Sequence, residues 1–196
     1  MSVYLYEEAL IERFKEITGD DRISIIPPES SISFLAQIGS KDKVDFPAIV
    51  LTRGPVTING DLRNQVQYLK GETSRYNKED NTAVKARLIP IKINWTVNVY
   101  AVDRRTCDEI IRELVFFFMT KPRFYAQIPY DLGINQNFDV ILDDEIADNS
   151  DLVEFPEHGE LFRETLSIHT DNAHFYSSKR QYLTKAETSV DPDLNK

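Results

Sequence analysis

The chain has one cysteine, one tryptophan, three histidines and seven glycines in 196 residues, and each shortage removes a class of function. A lone cysteine, Cys107, can build neither an intramolecular disulfide framework nor a cysteine-cluster metal site, so packing has to hold the fold. None of the glycines group into a loop that would place backbone donors around a phosphate. No apolar run approaches the roughly 20 residues of a membrane span, and Met1 to Leu10 has neither the basic nor the apolar region of a signal peptide. A soluble protein made in a cytoplasm is the expectation. His158, His169 and His174 are too scattered for a helical metal pair. Trp95, on the apolar side of an alternating segment, does not make the exposed aromatic row of a carbohydrate-binding module.

What is present is globular in proportion: 41% apolar and 28% charged residues, in a length that suits one domain. The net charge of −9 argues against a general nucleic-acid binder. Its distribution says more than its sum. Residues 1–40 carry 3 positive and 7 negative side chains, residues 41–105 carry 12 and 7, residues 106–171 carry 4 and 15, and the last 25 carry 4 and 3. The sign therefore runs −4, +5, −11, +1, which either places a basic and an acidic face on one domain or reflects chance clustering of solvated charge.

Periodicity orders the chain. Val3, Tyr6, Leu10, Phe14 and Ile17 recur at steps of three and four and predict a helix from about Val3 to Thr18, with Glu7, Glu8, Glu12 and Glu16 on other faces and Gly19 as the stop. Arg22 to Ile26 reads as a short strand closed by Pro27 and Pro28, Ser30 to Gly39 fits neither period, and Phe46 to Thr52 reads as a buried strand. From Leu88 to Val102 apolar and polar residues alternate over a length that predicts a strand leaving the main sheet as a ribbon, with Pro90 marking an edge or a bulge. Gln65 to Tyr76 is strand-compatible, and Asn77 to Thr82 is a turn between the two. Cys107, Ile110, Ile111, Leu114, Val115 and Phe118 predict a second helix starting at Thr106, with Glu109 in capping-box position or Asp103 capping a turn earlier. Phe116 and Phe117 widen its apolar surface, so contacts on both sides are expected. Arg123 to Ile128, Phe138 to Leu142 and Glu160 to Thr170 read as strands, with an acidic loop from Asp143 to Glu157.

The resulting expectation is an α+β fold: a mostly antiparallel sheet flanked by two or three helices, with a projecting β-hairpin and a C-terminal arm. Residues 1–171 form the domain, the hairpin extension lies at about 54–87, and residues 172–196 form the arm.

Chemistry is sparsely signalled. Cys107 lies near a helix N-terminus, where a thiolate is favoured, but on the apolar stripe, where inert burial is the plainer reading. Asp143, Asp144, Glu145, Asp148, Asn149 and Asp151 invite a calcium reading, but the alternating ligands and central glycine of such loops are missing. A solvated loop or an acidic docking surface fits better. Neither catalytic residues nor a cofactor or metal site is expected, and a binding or assembly protein is the remaining class.

The helix segment Tyr6-Glu7-Glu8-Ala9-Leu10, the strand Phe46-Pro47-Ala48-Ile49-Val50-Leu51 followed by Arg53, and the long alternating strand ending in Tyr100 and Ala101 before the helix Asp103 to Phe118 resemble tail-terminator and tail-completion proteins of tailed bacteriophages. Phe138 to Thr170 is similar to the closing strands of phage neck proteins, so the resemblance spans roughly residues 3–170. It implies a virion protein of the tail or neck, made in the host cytoplasm and assembling as a ring with copies of itself, usually a hexamer. Such a ring caps the tail tube, docks the neck connector and, in a contractile tail, meets the sheath, without nucleic-acid sequence recognition or membrane contact. Another neck or baseplate component, or a small hydrolase without a visible motif, are the alternatives. The chain departs from the family at Gly54 to Lys85 and after Asp171. A ring interface is heterologous, one face matching a different face of the next copy. The expected contacts are the basic hairpin around Arg63 to Arg87, with Lys70, Arg75 and Lys85, against the acidic region Asp139 to Glu164 of a neighbour or partner, with Asp143, Asp144 and Glu145, and with Phe116, Phe117, Phe175 and Tyr176 as apolar anchors.

Overall fold

The structure is a computed structural model and describes residues 3–19, 23–39, 44–60, 72–77, 82–127, 135–150, 154–155 and 159–181. Helix α1 (Tyr4–Thr18) follows the predicted stripe: Tyr6, Leu10 and Phe14 are buried. It ends where Gly19, at φ 54, turns left-handed and donates its N–H to the Lys15 carbonyl at 3.2 Å. After β1 (Ser24–Ile26), the stretch that fitted neither period is a helix, α2 (Pro28–Ile38). Pro28 suits its first turn, and only Ser31, Phe34 and Ile38 face inward. Exposed Ile32 and Leu35 blur the stripe in the sequence.

The main sheet is built on two 20-residue strands. In the order β1-β2-β4-β10-β7, strand β2 (Ala48–Ile58) pairs parallel with β1, while β4 (Thr82–Ala101), β10 (Phe162–Gln181) and β7 (Ile141–Asp148) pair antiparallel with their neighbours. A sixth strand, β3 (Glu72–Asn77), pairs with the start of β4. The α+β class with a mostly antiparallel sheet stands, with three helices among the described residues. Helix α3 (Arg104–Thr120) follows β4, and then β5 (Arg123–Gln127) and β6 (Asn135–Asp139) form a separate pair. The two-residue strands β8 (Glu154–Phe155) and β9 (Gly159–Glu160) pair with each other.

Alternation along β4 gives the sheet two unlike faces. Ile91, Ile93, Trp95, Val97, Val99 and Ala101 are buried on one, under α1, α3 and the β5–β6 pair. Rings run through this core: Tyr6 meets Phe138 edge-on at 5.1 Å, Phe138 meets Phe124 at 5.6 Å, and Phe124 stacks on Phe118 at 6.1 Å. Such pairs each add about 0.5–1.5 kcal/mol beyond the area they bury. On the other face α2 packs Phe34 and Ile38 against Ala48, Val50 and Tyr100.

Three expectations change, and one pair of alternatives, the cap of the second helix, is decided in favour of Asp103. Strand β10, expected to stop at Thr170, continues to Gln181 opposite Ala83, so the first ten residues assigned to a C-terminal arm are strand. The β4 extension is therefore not a two-stranded ribbon but lies between β3 and β10. Helix α3 starts at Arg104, because Asp103 caps it by accepting the Thr106 N–H at 2.8 Å, and Glu109 pairs with Arg105 instead of closing a capping box. The acidic loop begins late, since Asp143 to Asp148 belong to β7. Pro90 does mark an irregularity: β10 bulges between Thr170 and Ala173, one pair away from the His174–Pro90 pair.

Candidate functional site

The acidic strand β7 ends the main sheet. It pairs with β10 from Ile141 opposite His169 to Asp148 opposite Glu164, and the register shifts between Leu166 and Ile168. That shift sets Asp143, Asp144 and Glu145 in an exposed bulged stretch. Carboxylates disfavour strands, which is why the sequence reads as a loop here; pairing with β10 overrides the local preference. Two of the acids are held. Asp143 lies 2.7 Å from His169 Nδ1, and Asp148 accepts from Ser150 Oγ at 2.6 Å, from Ser150 N at 3.1 Å and from Arg104 at 3.2 Å. The Ser150 hydrogen bonds hold the Asp148 carboxyl below its ordinary value. Asp144 and Glu145 meet no cation among the described residues.

Where β7 ends, α3 begins, and carboxylates converge. Glu164 on β10 is pushed up to about 7, first by burial and then by Asp108 and Asp148, with Arg104 opposing. Cys107, one residue from Asp108, is fully buried and donates to the Val99 carbonyl at 3.5 Å. Burial, reinforced by these carboxylates, pushes its thiol up to about 12. The helix N-terminus therefore does not make a thiolate here; desolvation wins.

Two buried polar networks tie α1 to the sheet and to β6. Glu7, placed on the wet side of α1 by its spacing, is 1% exposed. Arg53 grips it through Nε and, at 2.6 Å, through Nη2, and Trp95 Nε1 lies 3.4 Å away. The signal was in β2: alternation puts Arg53 on the same side as Ile49 and Leu51, and a cation facing the core calls for a buried anion. Second, Tyr6 donates to Gln136 Oε1 at 2.5 Å and accepts the His174 N–H at 2.8 Å. Gln136 Nε2 donates to the Asn172 carbonyl at 3.0 Å and lies 2.7 Å from His174 Nδ1. Nδ1 therefore accepts, and burial, holding the imidazole below its ordinary pKa, favours this neutral form. Burial also pushes the Tyr6 hydroxyl up to about 12.

The expected interface residues divide by position. Phe116 is 66% exposed, one helical step from Met119 at 72%. Phe117 instead packs inward, 6.0 Å from Phe124 and with the Arg13 guanidinium 5.5 Å from its ring, so α3 buries one side. Phe175 also packs against the core. Arg75 lies opposite Val84, Lys85 between Ser74 and Lys179, Arg87 between Glu72 and Ser177, and Tyr176 opposite Leu88. Arg63, Lys70, His158 and the tail from 182 lie outside the described residues. Among the described residues the basic and acidic groups of one chain are not brought together: Lys179 stands eleven residues along β10 from Ile168, the partner of Leu142, about 35 Å at strand rise.

Among the described residues no group of three His, Cys, Asp or Glu side chains is arranged to hold a metal, and no helix is long and apolar enough to cross a membrane. Compared with known proteins, the sequence matches no family model and no characterised protein significantly.

Proposed function

We propose that the chain is a structural virion protein that assembles with copies of itself into a ring, as a phage tail terminator does, capping the tail tube and joining it to the neck. The observation that supports this is a sheet longer than the helices packed on it among the described residues. Strands β4 and β10 each have 20 residues, about 65 Å of strand, whereas α1 and α3 have 15 and 17 residues, about 22–25 Å of helix. Among the described side chains the fully buried apolar ones of these strands reach Ile91 and Ala173; Phe175 is half-buried against them, and Ile89, two residues on from Ile91, is 47% exposed. Beyond that point β4 and β10 continue with β3 beside them, past the last β2 pair at Ile58 and the last β7 pair at Ile141. A sheet that outruns its core has faces and edges to offer a neighbour.

Purified protein examined by light scattering and negative-stain electron microscopy tests the reading. A ring of six 22.6 kDa chains would weigh about 136 kDa. A strict monomer up to high micromolar concentration refutes self-assembly. Immunogold labelling of virions then fixes the station: label at the head–tail joint supports a terminator, and label at the distal end makes the protein a baseplate component.

A further inference from the structure

We infer that the three-stranded end of the sheet in one copy seats against the β7 edge of the next copy; the inference rests on the ring reading above. Charge and distance carry it. Residues 72–77, 82–88 and 176–181 hold five basic residues against Glu72, and the register places Lys85, Arg87 and Lys179 on one side of the sheet with Glu72, and Arg75 and Arg180 on the other, a net of +2 on each. Strand β7 holds Asp143, Asp144, Glu145 and Asp148 with no basic residue, a net of −4. The two lie about 35 Å apart along β10, roughly four screening lengths at physiological ionic strength, so neither neutralises the other within a chain.

Internal pairing does not account for the acidic edge either. His169 engages Asp143 and Arg104 engages Asp148, while Asp144 and Glu145 meet no cation among the described residues. Lys92, the basic residue of β4 nearest the core, is already paired with Asp171 at 3.0 Å. Both complementary surfaces belong to one chain and differ from each other, so matching them between identical copies is heterologous, and each copy keeps one free surface of each kind for the next. A rotation that closes gives a ring. Charge sets approach and register, and the contact weakens with salt.

The test uses the full chain. Lys85→Glu with Arg87→Glu, on one side of β4, forms one variant, and Asp144→Lys with Glu145→Lys the other. These acidic positions avoid Asp143 and Asp148, which are paired with His169 and Arg104. Each variant alone should lose at least tenfold in assembly affinity by analytical ultracentrifugation while keeping the wild-type circular dichroism spectrum. Mixing the two should restore assembly, because each reversed surface then meets a reversed complement. Raising salt from 50 mM to 1 M should dissociate the wild type and not merely slow it. A wild type that assembles while both variants assemble equally well overturns the charged interface and leaves the ring standing. Loss in both variants without rescue on mixing overturns it as well. A wild type that never assembles overturns the ring reading itself.

Discussion

Removing Arg53 should cost more than removing its partner, and the asymmetry can be worked from burial. The Glu7 side chain is 2% exposed and that of Arg53 40%. In Arg53→Leu the carboxylate stays beside the core with the Trp95 N–H, 3.4 Å away, as its remaining donor among the described residues. Breaking a fully buried pair costs about 3–5 kcal/mol, and the half-open position of Arg53 lets water reach the site, which lowers this to about 2–3 kcal/mol. In Glu7→Met the orphaned guanidinium can turn to solvent, and the cost is about 1 kcal/mol. The double variant puts an apolar pair on an apolar face and should lose no more than about 1 kcal/mol, giving a coupling energy of about 2 kcal/mol. Urea unfolding at pH 7, followed by the fluorescence of Trp95, the only tryptophan, reads all four species. Equal costs for the two single variants, or additivity within about 0.3 kcal/mol, would refute the reasoning.

Three further outcomes follow from the same contacts. Glu164 ionises at about 7 in the fold and near 4.3 when free, so the folded state holds its proton more tightly. Its contribution is full below about pH 4 and is lost as pH rises through 7. Glu164→Gln should therefore stabilise by about 1 kcal/mol at pH 8, after allowing for solvent screening, and hardly at all at pH 4; an equal effect at both pH values in urea titrations removes the carboxylate corner as the cause. At Gly54 an added Cβ would stand 3.1 Å from the Asn94 carbonyl oxygen and 3.2 Å from its Cβ, at the β2 bulge. Gly54→Ala should lower stability by about 1 kcal/mol, and an unchanged melting temperature would show that the bulge yields freely. Phe118→Ala, in the ring stack, should cost about 3–5 kcal/mol, while Phe116→Ala, at the exposed position beside it, should stay within about 0.5 kcal/mol; comparable losses by calorimetry contradict the inward and outward assignment.

The sequence made the core legible wherever one period dominated. The stripe from Cys107 to Phe118 and the alternation from Ile91 to Ala101 are buried as their spacing predicts. What escaped depended on contacts between distant residues. Glu7 looks solvated in a helical wheel because its partner is 46 residues away. Strand β7 looks like a loop because its four carboxylates mask an alternation that only β10 imposes. The end of β10 looks structureless because His174, Phe175 and Tyr176 follow a two-residue bulge, and an extra residue puts the rest of a strand out of phase with a period-two reading. The candidate surface was legible as a charge reversal along the chain, without its geometry: sequence alone could not say that the two signs fall at stations about 35 Å apart on one strand.

That bulge has a structural use which bears on how the sheet could serve assembly. Its two residues, Asp171 and Asn172, clamp the elements around it. The Asp171 carbonyl accepts from Asn59 at 2.8 Å, its carboxylate pairs with Lys92, and Asn172 Oδ1 accepts the Asp139 N–H at 3.0 Å and the Thr170 hydroxyl at 2.9 Å. Two residues beyond Asn172, His174 is tied to Tyr6 and Gln136. These ties bring β2, β6 and α1 to β10 beside its fully buried Ala173 and near the exposed Ile89 of β4. A long strand pair held only at its far end by ladder hydrogen bonds would have an ill-defined direction, because each such bond contributes only about 0.5–1.5 kcal/mol net. Anchored by a polar clamp at the rim of the core, β4 and β10 leave it in a direction set by the body of the domain. A surface presented to a neighbour at a fixed angle is the condition for a heterologous contact to close on itself.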